Sequence, residues 1–250
     1  MKKLLKLQSI IMICLVALLL TGCNKWNRVD KIQSAAIIEM LSSKKLGVFD
    51  KKGTYRGTFE NDQAGAADVL KLTKGIFKKK GGLKQAGENI KKAGKERQEK
   101  ELETLNNANL FQRQIQKELQ TSLGKTFELK KFRTVKSSSS RKINLKNNKK
   151  QVKKYLKKAK ADGIISIEQR VGVIREDASF GLSSKFELVA QVIVRIADKK
   201  GYIGHKVVFI RTGISKTSSG SLPAFTKEDF AVLLEDTTSE INTEIELLKL

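Results

Sequence analysis

The most regular alternation of apolar and polar residues lies between residues 164 and 211. Every second residue is apolar over one part of it: Phe186, Leu188, Ala190, Val192, Val194 and Ile196. This period of two is typical of a strand with one face on a core. Residues 164–174 are also rich in β-branched residues. The Asp-Lys-Lys-Gly of 198–201 is typical of a hairpin turn, and 202–211 is expected to form the partner strand. The pattern predicts a three-stranded antiparallel meander, followed by a Gly/Ser-rich loop over 212–222.

Helical spacing of apolar residues marks two further stretches. Residues 64–123 are interpreted as mostly helical, with Phe111, Ile115 and Leu119 four positions apart on the predicted core side. A shorter helix follows the spacing i, i+3, i+4 and i+7: Val152, Tyr155, Leu156 and Ala159. The other face of this helix is lysine, and Gly163 is expected to end it in the left-handed conformation.

Shorter signals complete the predicted order of elements. The apolar run at 33–40 indicates a short buried strand or a helical turn, and 127–132 indicates a further strand. Residues 50–62 are rich in turn formers. Thr226-x-x-Asp229 resembles a capping box ahead of a long C-terminal helix. We therefore expect an α+β fold: a single mixed or antiparallel sheet with helices packed on one face, and a long C-terminal helix.

The N-terminus carries a different pattern. A short basic stretch precedes eleven uninterrupted apolar residues, 10–20. As a helix this run spans about 16 Å, whereas the hydrocarbon core of a membrane needs roughly 20 residues. A basic start and a short apolar run are typical of a secretory signal peptide. Leu20-Thr21-Gly22-Cys23 then resembles the lipobox of bacterial lipoproteins, in which a branched apolar residue and two small residues precede a cysteine.

The lipobox resemblance implies a covalent lipid anchor. It implies cleavage between Gly22 and Cys23, a diacylglycerol on the thiol of Cys23, and an acyl chain such as palmitate on the new amine. Because Cys14 lies in the removed segment, no free thiol remains for a disulfide, for catalysis or for a metal. Asn24, which is not Asp, favours the outer over the inner membrane. The expected location is therefore exported and lipid-anchored to a bacterial membrane.

The expected organisation is a signal peptide at 1–22, a tether at 23–32 and an α+β domain at 33–250. A basic helical insertion is expected at about 64–105. Within it, 71–98 alternates apolar positions with lysine and contains five glycines. One interpretation is a helix that binds a membrane surface or docks a partner. The alternative is a helix laid on the sheet, or a mobile linker.

Charge is abundant and unevenly distributed. The chain has 50 Lys and Arg against 26 Asp and Glu, a formal net charge of +24. Residues 125–160 hold 15 basic residues and one acid, whereas 226–250 are acidic. A field of this kind attracts polyanions or anionic lipid headgroups. The alternative is a lysine-rich surface that is only solvated.

The residues expected to bind an anionic surface are lysines: Lys149, Lys150, Lys153, Lys154, Lys157, Lys158, Lys78, Lys79 and Lys80. A nucleic-acid partner is not expected. An exported lipoprotein rarely meets nucleic acid, and residues 125–160 contain few aromatic side chains on which bases would stack.

The sequence carries no motif of the common enzyme classes. It lacks a phosphate-binding P-loop, a Gly-x-Gly-x-x-Gly turn at a helix start and a Gly-x-Ser-x-Gly elbow. The single histidine, His205, lies within a predicted strand, and without a second His or a Cys it does not form the usual zinc site. Glu168, Glu176 and Asp177 are interpreted as solvated, not as a catalytic carboxylate pair. We expect no enzymatic activity, no cofactor and no metal.

A family resemblance follows from the order of elements, from the Ala-Asp-Gly of 161–163 that leads into a strand, and from the hairpin tip at 198–201. This arrangement resembles the periplasmic lipoproteins related to the curli-secretion lipoprotein CsgG, the penicillin-binding-protein activator LpoB and the N-terminal domain of TolB. The resemblance covers about residues 30–250, apart from 50–100. It implies no shared active site and action by assembly or by contact with envelope partners. The chain departs from the curli protein, because its predicted meander strands are needed for the core.

The sequence thus predicts a lipid-anchored cell-envelope protein that acts as a non-catalytic binding or accessory module at a membrane face. The expected partners are the membrane, through the acyl anchor, and an envelope protein or an anionic surface. The alternative is an oligomeric CsgG-like secretion or assembly component.

Overall fold

A computed structural model describes the chain over seven ranges: 26–42, 45–59, 82–132, 135–136, 145–177, 183–218 and 221–247. Within these ranges the strands are β1 (Ser34–Ser42), β2 (Gly47–Phe49), β3 (Tyr55–Thr58), β4 (Glu128–Phe132), β5 (Val135–Lys136), β6 (Gly163–Asp177), β7 (Ser184–Asp198) and β8 (Gly201–Ser218). The helices are α1 (Gly82–Thr126), α2 (Lys149–Ala159) and α3 (Lys227–Glu246).

The strands form one mixed sheet with β6 at its centre. β7 pairs antiparallel with β6 from Gly163 opposite Asp198 to Asp177 opposite Ser184. β8 continues antiparallel on β7, so the predicted meander is confirmed. Along the other edge of β6, β1 runs parallel to the first half and β2 to the second half. β4 and β5 pair in parallel with β1, and β3 forms a hairpin with β2.

Both faces of the sheet carry a core. In β1, Ala35 and Ile37 face the main core, whereas Ala36 and Ile38 face a second, smaller one. Such two-sided burial is typical of a strand whose apolar run is continuous. α1 and α3 cover the main core, and α2 covers the second one. The predicted α+β class, with one mixed sheet and a long C-terminal helix, is confirmed. Among the described helices, the two long ones share one face of the sheet, and the short α2 lies on the other.

Contacts of α1 with α3 and with the segment that precedes α3 close the main core. The rings of Phe111 and Phe230 lie 6.1 Å apart between centroids, and the Asn107 side-chain amide donates to the Phe225 carbonyl at 3.0 Å. The predicted capping box is present, because Thr226 N donates to Asp229 Oδ2 at 2.7 Å and Asp229 N donates to Thr226 Oγ1 at 3.4 Å. The start of α3 is therefore set by local sequence.

Two stretches predicted as turns or loops contain strands. Residues 212–218 extend β8, because they pair with the start of β7: Ser215 lies opposite Glu187 and Ser218 opposite Ser184. Residues 50–62 include β3 and the turn that joins it to β2. In both places backbone pairing with a neighbouring strand outweighs weak local propensity.

α1 is a single helix of 45 residues, about 68 Å long at 1.5 Å per residue. Its second half is packed, beginning with the buried Thr104. In its first half the described side chains are exposed at Lys92, Glu96 and Lys100. The predicted insertion therefore continues into a core helix without a break over 82–105. Its remaining residues, with Lys78, Lys79 and Lys80, lie outside the described ranges.

Candidate functional site

Residues 26–32, which begin three residues after the expected lipid-anchor position, are packed onto the domain. Val29 and Ile32 are buried. Two glycines make room for this segment: a Cβ on Gly163 would lie 2.7 Å from Ile32, and a Cβ on Gly204 would lie 2.5 Å from the Trp26 ring. The prediction of a tether over 23–32 is therefore wrong for 26–32. The sequence does not predict this docking, because the docking depends on space beside glycines in strands that are distant in sequence.

An ion pair fixes the same segment to the β7–β8 turn. Arg28 donates to both carboxylate oxygens of Asp198, from Nε at 2.9 Å and from Nη2, and Nη2 also donates to the Gly201 carbonyl at 3.1 Å. Asp198 further accepts from the backbone amides of Lys200 and Gly201, at 2.7 and 3.1 Å. Burial by itself would raise the pKa of Asp198, but these hydrogen bonds outweigh it and hold the pKa below its ordinary value.

α2 carries the predicted lysines on one half of its surface. Asn148 caps its first turn by accepting from Gln151 N at 3.0 Å, and Val152 and Leu156 are buried against the sheet. The exposed lysines form two rows with helical spacing i, i+4: Lys149, Lys153 and Lys157 in the first, and Lys150, Lys154 and Lys158 in the second. Neighbouring rows are separated by about 100° around the helix axis. The two rows therefore face different surroundings.

The C-terminal end of α2 has an unusual backbone. Lys160 adopts the left-handed conformation, with φ 52° and ψ 47°. Its amide donates to the Lys157 carbonyl, and the Ala161 amide donates to the Leu156 carbonyl, at 3.4 and 3.3 Å. Glycine is the usual residue here, since a side chain costs about 1 kcal/mol in this conformation. The expectation that Gly163 ends the helix is wrong, because Gly163 opens β6.

A cavity of about 580 Å³ lies where the N-terminal segment, the end of α2 and the β7–β8 turn meet. It is lined by these residues: Arg28, Lys31, Ile32, Lys153, Leu156, Lys157, Lys160, Ala161, Asp162, Asp198, Lys199 and Lys200. Seven of them are basic and two acidic, which gives a formal charge of +5. We call this cavity, with its seven basic side chains, the basic groove.

The structure brings only part of the predicted lysine set to this groove. Lys153 and Lys157 line it, and the aliphatic stem of Lys149 lies beside the turn, 3.8 Å from the place of a Cβ on Gly201. The second row of α2 does not line it. Gly22 and Cys23 lie outside the described residues.

Sequence reasoning missed five basic residues of the groove: Arg28, Lys31, Lys160, Lys199 and Lys200. The sequence shows their charge and position along the chain: two of them form the hairpin tip, and two follow the expected lipid-anchor position within eight residues. Their convergence was not visible, because it depends on the docking of the N-terminal segment.

The carboxylates interpreted as solvated are held in ion pairs. Glu168 is buried, with Oε1 accepting from Arg170 Nη2 at 2.6 Å and Oε2 from Arg195 Nη2 at 2.9 Å. That interpretation is therefore wrong for Glu168. Its position on the second face of β6, between arginines of β6 and β7, explains how a carboxylate is accommodated there. Glu176 pairs with Lys51 at 3.0 Å.

His205 lies in β8 with an exposed side chain, and its Nδ1 is 2.9 Å from the Tyr202 hydroxyl. Burial raises the pKa of Tyr202. Among the described residues, no group of three His, Cys, Asp or Glu side chains is placed to hold a metal ion. In the same part of the chain, no helix is long and apolar enough to cross a membrane.

Comparison with protein-family models finds no match to this chain, and comparison with curated proteins finds none either. The basic groove and its position in the fold are therefore the features from which a function is inferred.

Proposed function

We propose that this protein is a lipid-anchored, non-catalytic binding module of the bacterial envelope. In this proposal its basic groove associates with an anionic surface at the membrane face. The observation that supports it is the convergence of seven basic side chains from three separate segments on one cavity. Like charges at close range repel one another, so their convergence costs stability unless an anion compensates it. On a surface whose lysines are only solvated, this convergence would lower the stability of the fold without any compensating interaction.

Part of this charge has a local structural role. Lys157 lies in the last turn of α2, where cations interact favourably with the partial negative charge of a helix C-terminus. This interaction does not account for Lys31, Lys199 and Lys200, which reach the groove from other segments. An anionic ligand accounts for all of them.

The position of the groove fits an anchor at Cys23. Arg28 lies five residues after it, and five residues span at most about 18 Å. An acylated Cys23 would therefore keep the groove close to the headgroup layer. Anchoring raises the effective concentration of a ligand on that surface, so weak individual contacts suffice for association.

Vesicle binding by the chain without its anchor tests the proposal. Every contact described above lies between Trp26 and Leu247, so a protein consisting of residues 24–250 retains them all. We expect it to sediment with vesicles of phosphatidylglycerol and phosphatidylcholine, but not with phosphatidylcholine alone. Binding should weaken between about 0.1 and 1 M salt, where the Debye length falls from roughly 10 to 3 Å. Equal binding to both vesicles, or none to either, would contradict the proposal.

A further inference from the structure

We infer that the basic groove is a saturable site for the phosphate-bearing headgroup of an anionic phospholipid in the membrane that holds the Cys23 anchor. The inference rests on the proposed function, because the anchor places the groove at that membrane. It goes further than the proposed function because it assigns one ligand to one cavity. The proposed function alone requires only that the lysine-rich surface attract anions.

The arrangement of cations suits a compact anion with several oxygens. Lys153 and Lys157 reach the groove from α2, Lys31 from the N-terminal segment, and Lys199 and Lys200 from the hairpin turn. A phosphate offers acceptor oxygens in several directions and is bound well by ammonium groups that surround it. A flat anionic surface would instead be matched by one exposed row of lysines, as on the outer side of α2.

The two carboxylates of the groove do not compete with such a ligand. Asp198 is held by Arg28 and by two turn amides. Asp162 accepts from the Ser34 amide and hydroxyl, at 3.2 and 2.8 Å. Within the described ranges, none of the six groove lysines forms a salt bridge. These lysines line the cavity without an acidic salt-bridge partner from that part of the chain.

Lys160 is held in the groove lining at a conformational cost. It is the only non-glycine residue with positive φ among the described residues. A glycine would end α2 at lower conformational cost. Backbone strain of this kind concentrates at functional sites, where the side chain is needed in that position. The left-handed turn places a lysine in the groove lining, beside Lys157.

The size and lining of the cavity favour a lipid headgroup over a free phosphate ion. Its volume of about 580 Å³ lies within the range of small-molecule sites, roughly 300–1,000 Å³, and far exceeds that of one phosphate. Ile32, Leu156 and Ala161 contribute an apolar part of the lining, against which glycerol carbons can pack. Tryptophan favours the membrane interface as a residue type, and Trp26 is the first residue of the N-terminal segment, three residues after Cys23.

Calorimetric titration with a monomeric short-chain lipid tests the inference. Residues 24–250 are titrated with dihexanoyl phosphatidylglycerol below its micelle concentration, with dihexanoyl phosphatidylcholine as the reference. We expect saturation at one lipid per chain for the anionic lipid only. Lys153→Gln with Lys157→Gln should weaken binding about tenfold or more. The matched control, Lys150→Gln with Lys154→Gln, removes the same charge from the same helix and should change affinity less than about twofold.

A third variant separates ligand binding from folding. Lys160→Gly should leave the melting temperature unchanged or higher, because it relieves the left-handed strain, and yet weaken lipid binding. Equal weakening by the two lysine pairs, or binding without saturation, would overturn the headgroup site while leaving salt-dependent vesicle association intact. Binding of glycerol 3-phosphate as tight as that of the lipid would overturn the lipid as the source of the phosphate. Failure to associate with any anionic vesicle would instead remove the proposed function itself.

Discussion

At the residue scale, Asp198 links stability to pH. Its pKa is held below the ordinary value by Arg28 and the turn amides, against the opposing effect of burial. A depressed carboxyl pKa stabilises the fold at pH values above the ordinary pKa of about 4, and this stabilisation is lost as pH falls through the folded-state pKa. We expect Asp198→Asn to lower the free energy of unfolding by about 2 kcal/mol at pH 7, because a partly buried charge-assisted pair is lost. The variant should then lose less on acidification than the unmodified protein.

Urea unfolding at pH 7 and pH 3 measures both effects. Asp30→Asn is the matched control, because Asp30 is an exposed carboxylate in the N-terminal segment, two residues after Arg28. This role of Asp198 would be refuted if the two variants lost equal stability at pH 7. It would also be refuted if Asp198→Asn and the unmodified protein showed the same dependence of stability on pH. The asparagine can still accept from the amides of Lys200 and Gly201, so the turn is expected to persist.

At the element scale, the two ends of α1 are predicted to differ in their share of the global stability. Gly124 lies in the packed half, and a Cβ there would meet Leu129 at an ordinary 3.8 Å. Gly124→Ala should therefore raise the free energy of unfolding by about 1 kcal/mol, the difference in helix propensity. Gly94 lies in the exposed half, with open space around a Cβ. Gly94→Ala should slow amide hydrogen exchange nearby and leave the global unfolding midpoint almost unchanged. Equal shifts of the midpoint would mean that both halves unfold as one unit.

The elements that the sequence predicts well are those with a strong local period. The meander β6–β7–β8, the apolar stripe of α1 and the capping box of α3 all repeat or pair within short stretches. The end of β8 was missed, because residues 212–218 become a strand only through pairing with the start of β7. The end of α2 was missed because Lys160, not a glycine, takes the left-handed conformation.

At the scale of the whole molecule, the groove shows why a site is harder to predict than a fold. Lys153 and Lys157 are recognisable as part of a lysine-rich helix face, but so are the three lysines of the other row. Only tertiary contacts distinguish the two rows of lysines, because the packing of Trp26 and Ile32 holds the N-terminal segment beside one row. That packing joins segments about 130 and 170 residues apart in the chain, as the Ser34–Asp162 and Arg28–Asp198 contacts do. No local pattern encodes it.

The proposed anchoring at Cys23 predicts an orientation that can be tested, because Trp26 is the only tryptophan. In the acylated protein, Trp26 lies within about 11 Å of Cys23 along the chain, so lipids spin-labelled at the headgroup should quench its fluorescence.

A flexible spacer of about 20 Gly and Ser residues between Asn24 and Lys25 has a mean span of roughly 25 Å and would let the domain leave the surface. We expect the spacer protein to lose quenching in phosphatidylcholine vesicles. In phosphatidylglycerol vesicles it should keep quenching at low salt and lose it at high salt, because only the groove then holds it. Quenching of the spacer protein that is the same in both lipids would show that the groove does not orient the domain.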